Sequence, residues 1–284
     1  MAINNVAVIG AGQMGSGIAQ VFATAGKKVI VYDITQEIVD ASKAKLEKGI
    51  AKLVSKEKIT QDKADAILGN ITFSANTEYS DIGDTDLVVE AAIERLDLKK
   101  TIFQKLDAAA KPDCILATNT SSISITEIAK AVGRKDKVIG MHFFNPPVVM
   151  KLIEIIRGGN TADDVYETIF ALSQEIGKTP VTVNEAPGFV VNRILIPMIN
   201  EAVDLVQNGV ASPEDIDTAM KLGCNHPMGP LTLGDYIGLD TCLAIMETIY
   251  SETGDPKYRP SLLLRKMVRA GKLGNKTGEG FFKH

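Results

Sequence analysis

The chain has 284 residues, 45% hydrophobic and 23% charged, proportions ordinary for a soluble globular protein with room for a large core. A formal net charge of −4 and a pI near 5.5 argue against a general nucleic-acid binder. Cys114, Cys224 and Cys242 are odd in number and far apart, so they suggest neither a disulfide framework nor a metal site; they read as small core residues in a reducing compartment.

The N-terminus runs directly into "NNVAVIGAG", without the basic, apolar and small-residue order of a signal peptide. No apolar run approaches the ~20 residues of a membrane span, and a cytoplasmic protein is expected. "VAVIG" reads as a strand ending in glycine, followed by a helical pattern from about Met14 to Ala25. "KKVIVYD" is the next strand, and a polar helical stretch follows from about Thr35 to Ser55. "DLVVEA", "CILATN" and "KVIGMHFF" read as further strands, separated by helical patterns in "DLKKTIFQKLDAAA" and "ITEIAKAV". Strands alternating with helices predict an α/β, doubly wound, Rossmann-like domain around a parallel sheet.

After "TPVTVNEAPGFVVNR" the character changes, and from Phe189 onward the patterns are helical without a convincing strand. "VVNRILIPMINEAVDLV" is apolar almost all round, which predicts a helix buried on most faces and bent at Pro197. The expected organisation is therefore a Rossmann-like domain over 1–186 and a smaller all-helical domain over 187–284.

"GAGQMG" matches the G-x-G-x-x-G pattern and has the context that pattern needs, a strand before it and a helix after it. Gly10 permits the tight turn, Gly12 lets a pyrophosphate approach the backbone, and Gly15 allows close helix–strand packing. With Gln13 and Met14 they open a helix whose free N–H groups face the phosphates. Asp33, at the end of the second strand, can accept hydrogen bonds from a ribose diol and would repel a 2′-phosphate, which selects NAD(H) over NADP(H).

His142 and Glu154 are the candidate chemical pair. Glu154 lies twelve residues after His142, between Leu152 and Ile156 on one face of a strand-like run. A lone carboxylate there is costly to bury unless it is paired. The connection "NPPVVM" is short enough to bring the two runs side by side, with an edge-strand glutamate in water as the alternative. Ser121 and Ser122 follow an apolar strand, on the kind of loop where a doubly wound sheet binds ligands. Ser124 and Glu127 fit a capping box, a structural role.

"GAGQMGSGIAQ", "NTSS", "GMHFFNPPVVMKLIEII", "APGFVVNR" and "NHPMGPLTLGDYIGLD" together resemble the L-3-hydroxyacyl-CoA dehydrogenase family, and its bacterial short-chain (3-hydroxybutyryl-CoA) members in particular, over essentially the whole chain. The resemblance implies a general acid/base at His142, supported by Glu154, with Ser121 and Asn192 contacting the reacting hydroxyl or carbonyl. It implies NAD contacts at Glu94, Lys99, Asn119, Asn145 and Lys276, and an acyl-CoA substrate such as acetoacetyl-CoA. The chain departs from the family's N-P-x-P-V-M pattern by reading "NPPVVM", which affects the local turn and leaves the spacing to Glu154 unchanged. His226 matches a family turn with a capping or packing role, and His284 is terminal and uninformative.

Lys45, Lys48, Lys52 and Lys56 recur at spacings of three, four and four, a stripe that by itself reads as a solvated face. The resemblance brings this helix near the phosphorylated end of coenzyme A, with Lys52 and Lys56 as candidate contacts. Surplus apolar surface after residue 188 and the family's habit predict a homodimer through the C-terminal domain. Two other readings stay open: a related dehydrogenase of a free hydroxy or sugar acid, and a non-catalytic NAD(H)-binding protein.

Overall fold

The computed structural model describes residues 2–284, which fall into two compact units, 2–185 and 186–284. The first unit is built on one sheet of eight strands: β1 Asn5–Ile9, β2 Lys28–Tyr32, β3 Ile71–Ser74, β4 Leu87–Glu90, β5 Ile115–Thr118, β6 Val138–Phe143, β7 Leu152–Arg157 and β8 Thr179–Asn184. Their spatial order is β3-β2-β1-β4-β5-β6-β7-β8, so the direction of winding reverses between β1 and β4. Helices α1 Gln13–Thr24, α2 Gln36–Ser55, α3 Gln61–Gly69, α4 Leu96–Ala109, α5 Ile125–Ala129 and α6 Asp163–Glu175 connect them. This is the expected doubly wound α/β architecture. Every residue of β4 and β5 is buried, which is why "LVVE" and "ILAT" lack a polar alternation.

The expectation of a uniformly parallel sheet needs one correction. β6 and β7 pair antiparallel, while each of the other pairings is parallel. The segment between them is too short for a crossover and serves only a hairpin-like return. Strands β3 and β8 carry little sequence signal. Both are edge strands, and in β8 only Val183 is fully buried.

Helix α2 buries a stripe of Val39, Ser42, Leu46 and Ile50 and is capped by Thr35, whose side chain accepts from the Ile38 N–H at 3.3 Å. Lys45, Lys48, Lys52 and Lys56 all lie exposed. At α5 the Ser124 hydroxyl accepts from the Glu127 N–H at 3.0 Å, but the Glu127 carboxylate turns to Lys100 and Lys130, so only half of the capping box forms.

The second unit is helical: α7 Val191–Gln207, α8 Pro213–Gly223, α9 Pro230–Ile237, α10 Leu239–Thr253 and α11 Leu262–Arg269. Ile196, Ile199, Val203, Leu231, Leu239 and Met246 centre its core. Asp217 caps α9 from a distance, accepting from the backbone N–H groups of Leu231 (2.8 Å) and Thr232 (2.9 Å). A Cβ on Gly229 would stand 2.2 Å from the Asp217 carboxyl carbon, so that position is held to glycine. Buried Asp235 accepts from the N–H groups of Phe281 and Phe282, each at 2.9 Å, and pairs with His284 at 2.9 Å, stitching the C-terminal segment down.

Three expectations change here. His284 is a structural partner. Cys224 is exposed, whereas Cys114 and Cys242 are buried and their thiols pushed up to about 12 by burial. Helix α7 buries one face, through Asn192, Ile196, Ile199 and Val203, and leaves Ile194 69% exposed on another. Pro197 lies within it. Among the described residues no helix is long and apolar enough to cross a membrane.

Candidate active site

The carboxyl ends of β1, β2, β4, β5 and β6 share one edge of the sheet, and the winding reverses at β1/β4, where open α/β sheets bind ligands. Gly10 has φ +103°, and a Cβ there would stand 2.7 Å from the Ala91 carbonyl oxygen. A Cβ on Gly15 would stand 1.8 Å from the Gly10 carbonyl oxygen, so α1 packs directly on the turn. Gly12 differs: nothing lies within 4 Å of its Cβ position, which leaves its backbone open to a ligand. Gln13 donates to the Asn145 side-chain oxygen at 2.9 Å, and half-buried Met14 packs against the core of the sheet domain.

Asp33 accepts from the Ala11 N–H at 2.6 Å and the Ile34 N–H at 2.7 Å, bracing the glycine turn against the end of β2. Beside it opens a cavity of about 360 Å³ lined by Tyr32, Asp33, Tyr79, Ile93 and Leu98. A Tyr32–Asp81 hydrogen bond of 2.9 Å and an edge-on contact between Tyr32 and Tyr79 fix one wall. Burial pushes the Tyr79 phenol up to about 12.

The antiparallel register sets His142 directly opposite Glu154. The His142 Nδ1 lies 2.7 Å from Glu154 Oε2, with both residues buried and Glu154 0% exposed. A carboxylate so placed can accept a hydrogen bond from Nδ1–H, which orients the imidazole ring. Phe143 donates its N–H to the Asn119 side-chain oxygen at 2.8 Å, tying β6 to the end of β5.

Ser121 is half-buried on the turn after β5. Glu94 organises that turn: its Oε1 accepts from Thr120 Oγ1 (2.5 Å), Ser121 N (2.9 Å) and Ser122 N (3.2 Å). Burial alone would raise the Glu94 pKa, but the Lys99 ammonium and the hydrogen bonds from Thr120 and Ser121 outweigh it and hold the carboxyl below the usual carboxylate range. Lys99 itself is 1% exposed, its ammonium engaged by Glu90 and Glu94.

The first unit thus gathers Gly10, Gly12, Gln13, Gly15, Asp33, Glu94, Asn119, Ser121, His142, Asn145 and Glu154 along one edge. Asn192 and Lys276 belong to the second unit. Asn192 is buried on α7, and Lys276 Nζ lies 2.5 Å from Asp240. Lys52 and Lys56 stand exposed at the far end of α2. Glu90, Thr118 and Thr120 are the residues sequence reasoning missed. For Glu90 a signal existed, a lone carboxylate in an apolar strand-like run, as with Glu154.

A doubly wound sheet with a glycine turn at its winding reversal and a buried imidazole–carboxylate pair across β6 and β7, joined to a helical domain, has the make-up of a nicotinamide-dependent dehydrogenase. The family model described as "3-hydroxyacyl-CoA dehydrogenase, NAD binding domain" matches residues 5–186, and the C-terminal domain model of the same family matches 188–284. The chain belongs to the 3-hydroxyacyl-CoA dehydrogenase family. It is 56% identical to a 3-hydroxybutyryl-CoA dehydrogenase of Clostridioides difficile over 98% of each chain. It is 44% identical to the human mitochondrial hydroxyacyl-coenzyme A dehydrogenase over 99% of this chain and 91% of that one. The crystal structure of an (S)-3-hydroxybutyryl-CoA dehydrogenase from Ralstonia eutropha superposes with a TM-score of 0.96 at 50% identity, covering 100% of this chain and 99% of that one.

Proposed function

We propose that the protein interconverts (S)-3-hydroxyacyl-CoA and 3-oxoacyl-CoA with NAD(H), acting on short chains such as 3-hydroxybutyryl-CoA and acetoacetyl-CoA. The buried His142–Glu154 pair carries this reading, because a carboxylate 2.7 Å from Nδ1 orients the imidazole as a general acid/base requires. Bound NAD⁺ supplies the hydride acceptor. In oxidation His142 Nε2 removes the hydroxyl proton, and the Glu154 carboxylate stabilises the imidazolium that results. Reduction returns the proton to the carbonyl oxygen along the same path. Ser121 and Asn192 are the groups we assign to that oxygen.

The open backbone at Gly12 suits a pyrophosphate, and the carboxylate of Asp33 suits an unphosphorylated ribose. Glu94, Asn119, Asn145, Lys99 and Lys276 complete the cofactor assignments. A groove of about 420 Å³ between α1, α2 and Pro146–Val148 has Lys45 on its wall. We place the coenzyme A arm there, with Lys52 and Lys56 toward its phosphates. A cytoplasmic homodimer through the helical domain completes the proposal.

The test is direct: mix protein, NADH and acetoacetyl-CoA and follow NADH absorbance. Turnover of acetoacetyl-CoA supports the reading. Turnover of free acetoacetate alone, or binding of NADH without turnover of either, rejects it.

A further inference from the structure

One charged cluster at this edge has no part in proton transfer. Glu90 closes β4 and is flanked in register by Ile9 of β1 and Thr118 of β5, which puts it at the point where the winding reverses. It is 0% exposed and accepts four hydrogen bonds: from Ala92 N (2.7 Å), Thr118 Oγ1 (2.7 Å) and Lys99 Nζ (2.7 and 2.9 Å). The Lys99 ammonium reaches on to Glu94 Oε2 at 3.3 Å. The remaining oxygen of Glu94 is the one that gathers residues 120–122. A carboxylate, an ammonium and a second carboxylate therefore run in file from the centre of the sheet to the turn that carries Ser121.

Stability alone is a poor reason for such an arrangement. A buried ion pair is often replaceable by apolar residues at no loss, because desolvation offsets the attraction. Here two carboxylates share one ammonium, so the cluster keeps an excess negative charge that packing has no use for. What it does achieve is directional. Glu94 Oε1 is the shared acceptor for the backbone and hydroxyl groups of the turn, and its carboxylate is fixed from behind by Lys99. The backbone adds a second link: the Glu90 carbonyl accepts from Asn119 N at 2.7 Å, and Asn119 in turn holds the N–H of Phe143, next to His142.

We propose that Glu90 is a positioning residue for the reaction: it holds Lys99 in place, and Lys99 pins Glu94 against the turn that carries Ser121. The inference rests on the dehydrogenase reading for its kinetic assay, but it also has a readout in cofactor binding.

The charges facing Glu94 make the prediction specific. Lys99 and Glu90 confront it from α4 and β4, while Arg95 turns to Asp97 and Lys100 to Glu127. Lys99→Met leaves Glu94 and Glu90 as neighbouring carboxylates with no cation between them. Like charges side by side raise one pKa of the pair. Ionised Glu94 is then lost as pH falls through that raised value. Adding Glu90→Gln removes the like charge and should reverse part of the defect.

The experiment compares the wild type, Lys99→Met and the double variant Glu90→Gln/Lys99→Met. It measures kcat/KM against pH with acetoacetyl-CoA, and NADH affinity against pH by the cofactor's own fluorescence, which is uncluttered because the chain has no Trp. In Lys99→Met the acid limb of both profiles should move up by about one pH unit or more. In the double variant it should lie between that position and the wild type's. Coincident acid limbs in all three proteins overturn the proposal. Where circular dichroism shows Lys99→Met unfolded, the double variant decides: an acid limb above the wild type's upholds the proposal, and one that matches it does not. A wild type without turnover would reject the substrate reading and leave the binding comparison intact.

Discussion

Replacing Glu154 by glutamine changes the least shape for the most charge. The imidazolium formed when His142 takes a proton sits 2.7 Å, nitrogen to oxygen, from the Glu154 carboxylate, and both groups are buried. Unit charges about 4 Å apart attract by about 4 kcal/mol at an effective dielectric constant of ~20. With the proton half transferred in the transition state, about half of that is in play. At 1.36 kcal/mol per tenfold in rate, this amounts to roughly 30-fold, with a ceiling near 10³-fold for complete transfer. Glutamine can also offer its amide N–H to Nδ1, which puts the imidazole proton on the nitrogen that must accept one, and that adds to the loss. The expected fall in kcat is on the order of 10²-fold, within the usual range for a general acid–base contribution. NADH affinity should change by less than about twofold, and His142→Ala/Glu154→Gln should be scarcely worse than His142→Ala alone, because the two act as a unit. Stopped-flow absorbance of NADH with acetoacetyl-CoA gives kcat, and fluorescence titration gives the affinity. A folded Glu154→Gln protein with near-normal kcat would refute the assignment and return His142 to the status of a core histidine.

Gly12→Ala and Gly15→Ala should separate cofactor approach from packing. The first has free space for a Cβ and should keep its Tm while losing NADH affinity, whereas the second collides with Gly10 and should lose several degrees of Tm, since overpacking costs about 1–3 kcal/mol. The Asp33 carboxylate should give NADH a clear advantage in kcat/KM over NADPH; equal values or the reverse order would discard that assignment. Sedimentation at micromolar concentration should find a dimer, and Ile194→Lys should weaken it, because that large apolar side chain stands 69% exposed on α7. A wild-type monomer would end the dimer proposal.

Much of the fold was legible because its signals are local. The glycine turn, the buried runs of β4 and β5, and the change to helix after residue 188 each show in a short window. The His142–Glu154 pairing was legible for a different reason. Two apolar runs, one with a histidine and the other with a single carboxylate, joined by a short turn, leave few ways to satisfy that carboxylate. The same logic applies to Glu90, yet its partner was hidden. Lys99 lies on an amphipathic helix where lysine normally faces water, and full burial of a lysine occurs only when it is paired. That pairing is tertiary, made across a strand, a helix and a turn, and no spacing in "DLVVEAAIERLDLKK" announces it. Edge strands β3 and β8 were faint because one neighbour and partial exposure relax the demand for apolar side chains. His284 gained its role only from Asp235, which lies 49 positions earlier.

The antiparallel ladder between β6 and β7 has a consequence for how the chain reaches its fold. Its register matches Gly140 with Ile156, Met141 with Ile155, His142 with Glu154 and Phe143 with Ile153. A slip by one residue would turn Glu154 to the opposite face and seal a carboxylate among isoleucines, away from the imidazole. A bulkier residue than glycine at 140 would meet Ile156 at 2.8 Å even in the correct register. The hairpin therefore proofreads itself: the alignment that gives its one buried acid a hydrogen-bond partner is also the alignment that orients the imidazole, so a misassembled copy is penalised in stability before its activity is ever tested.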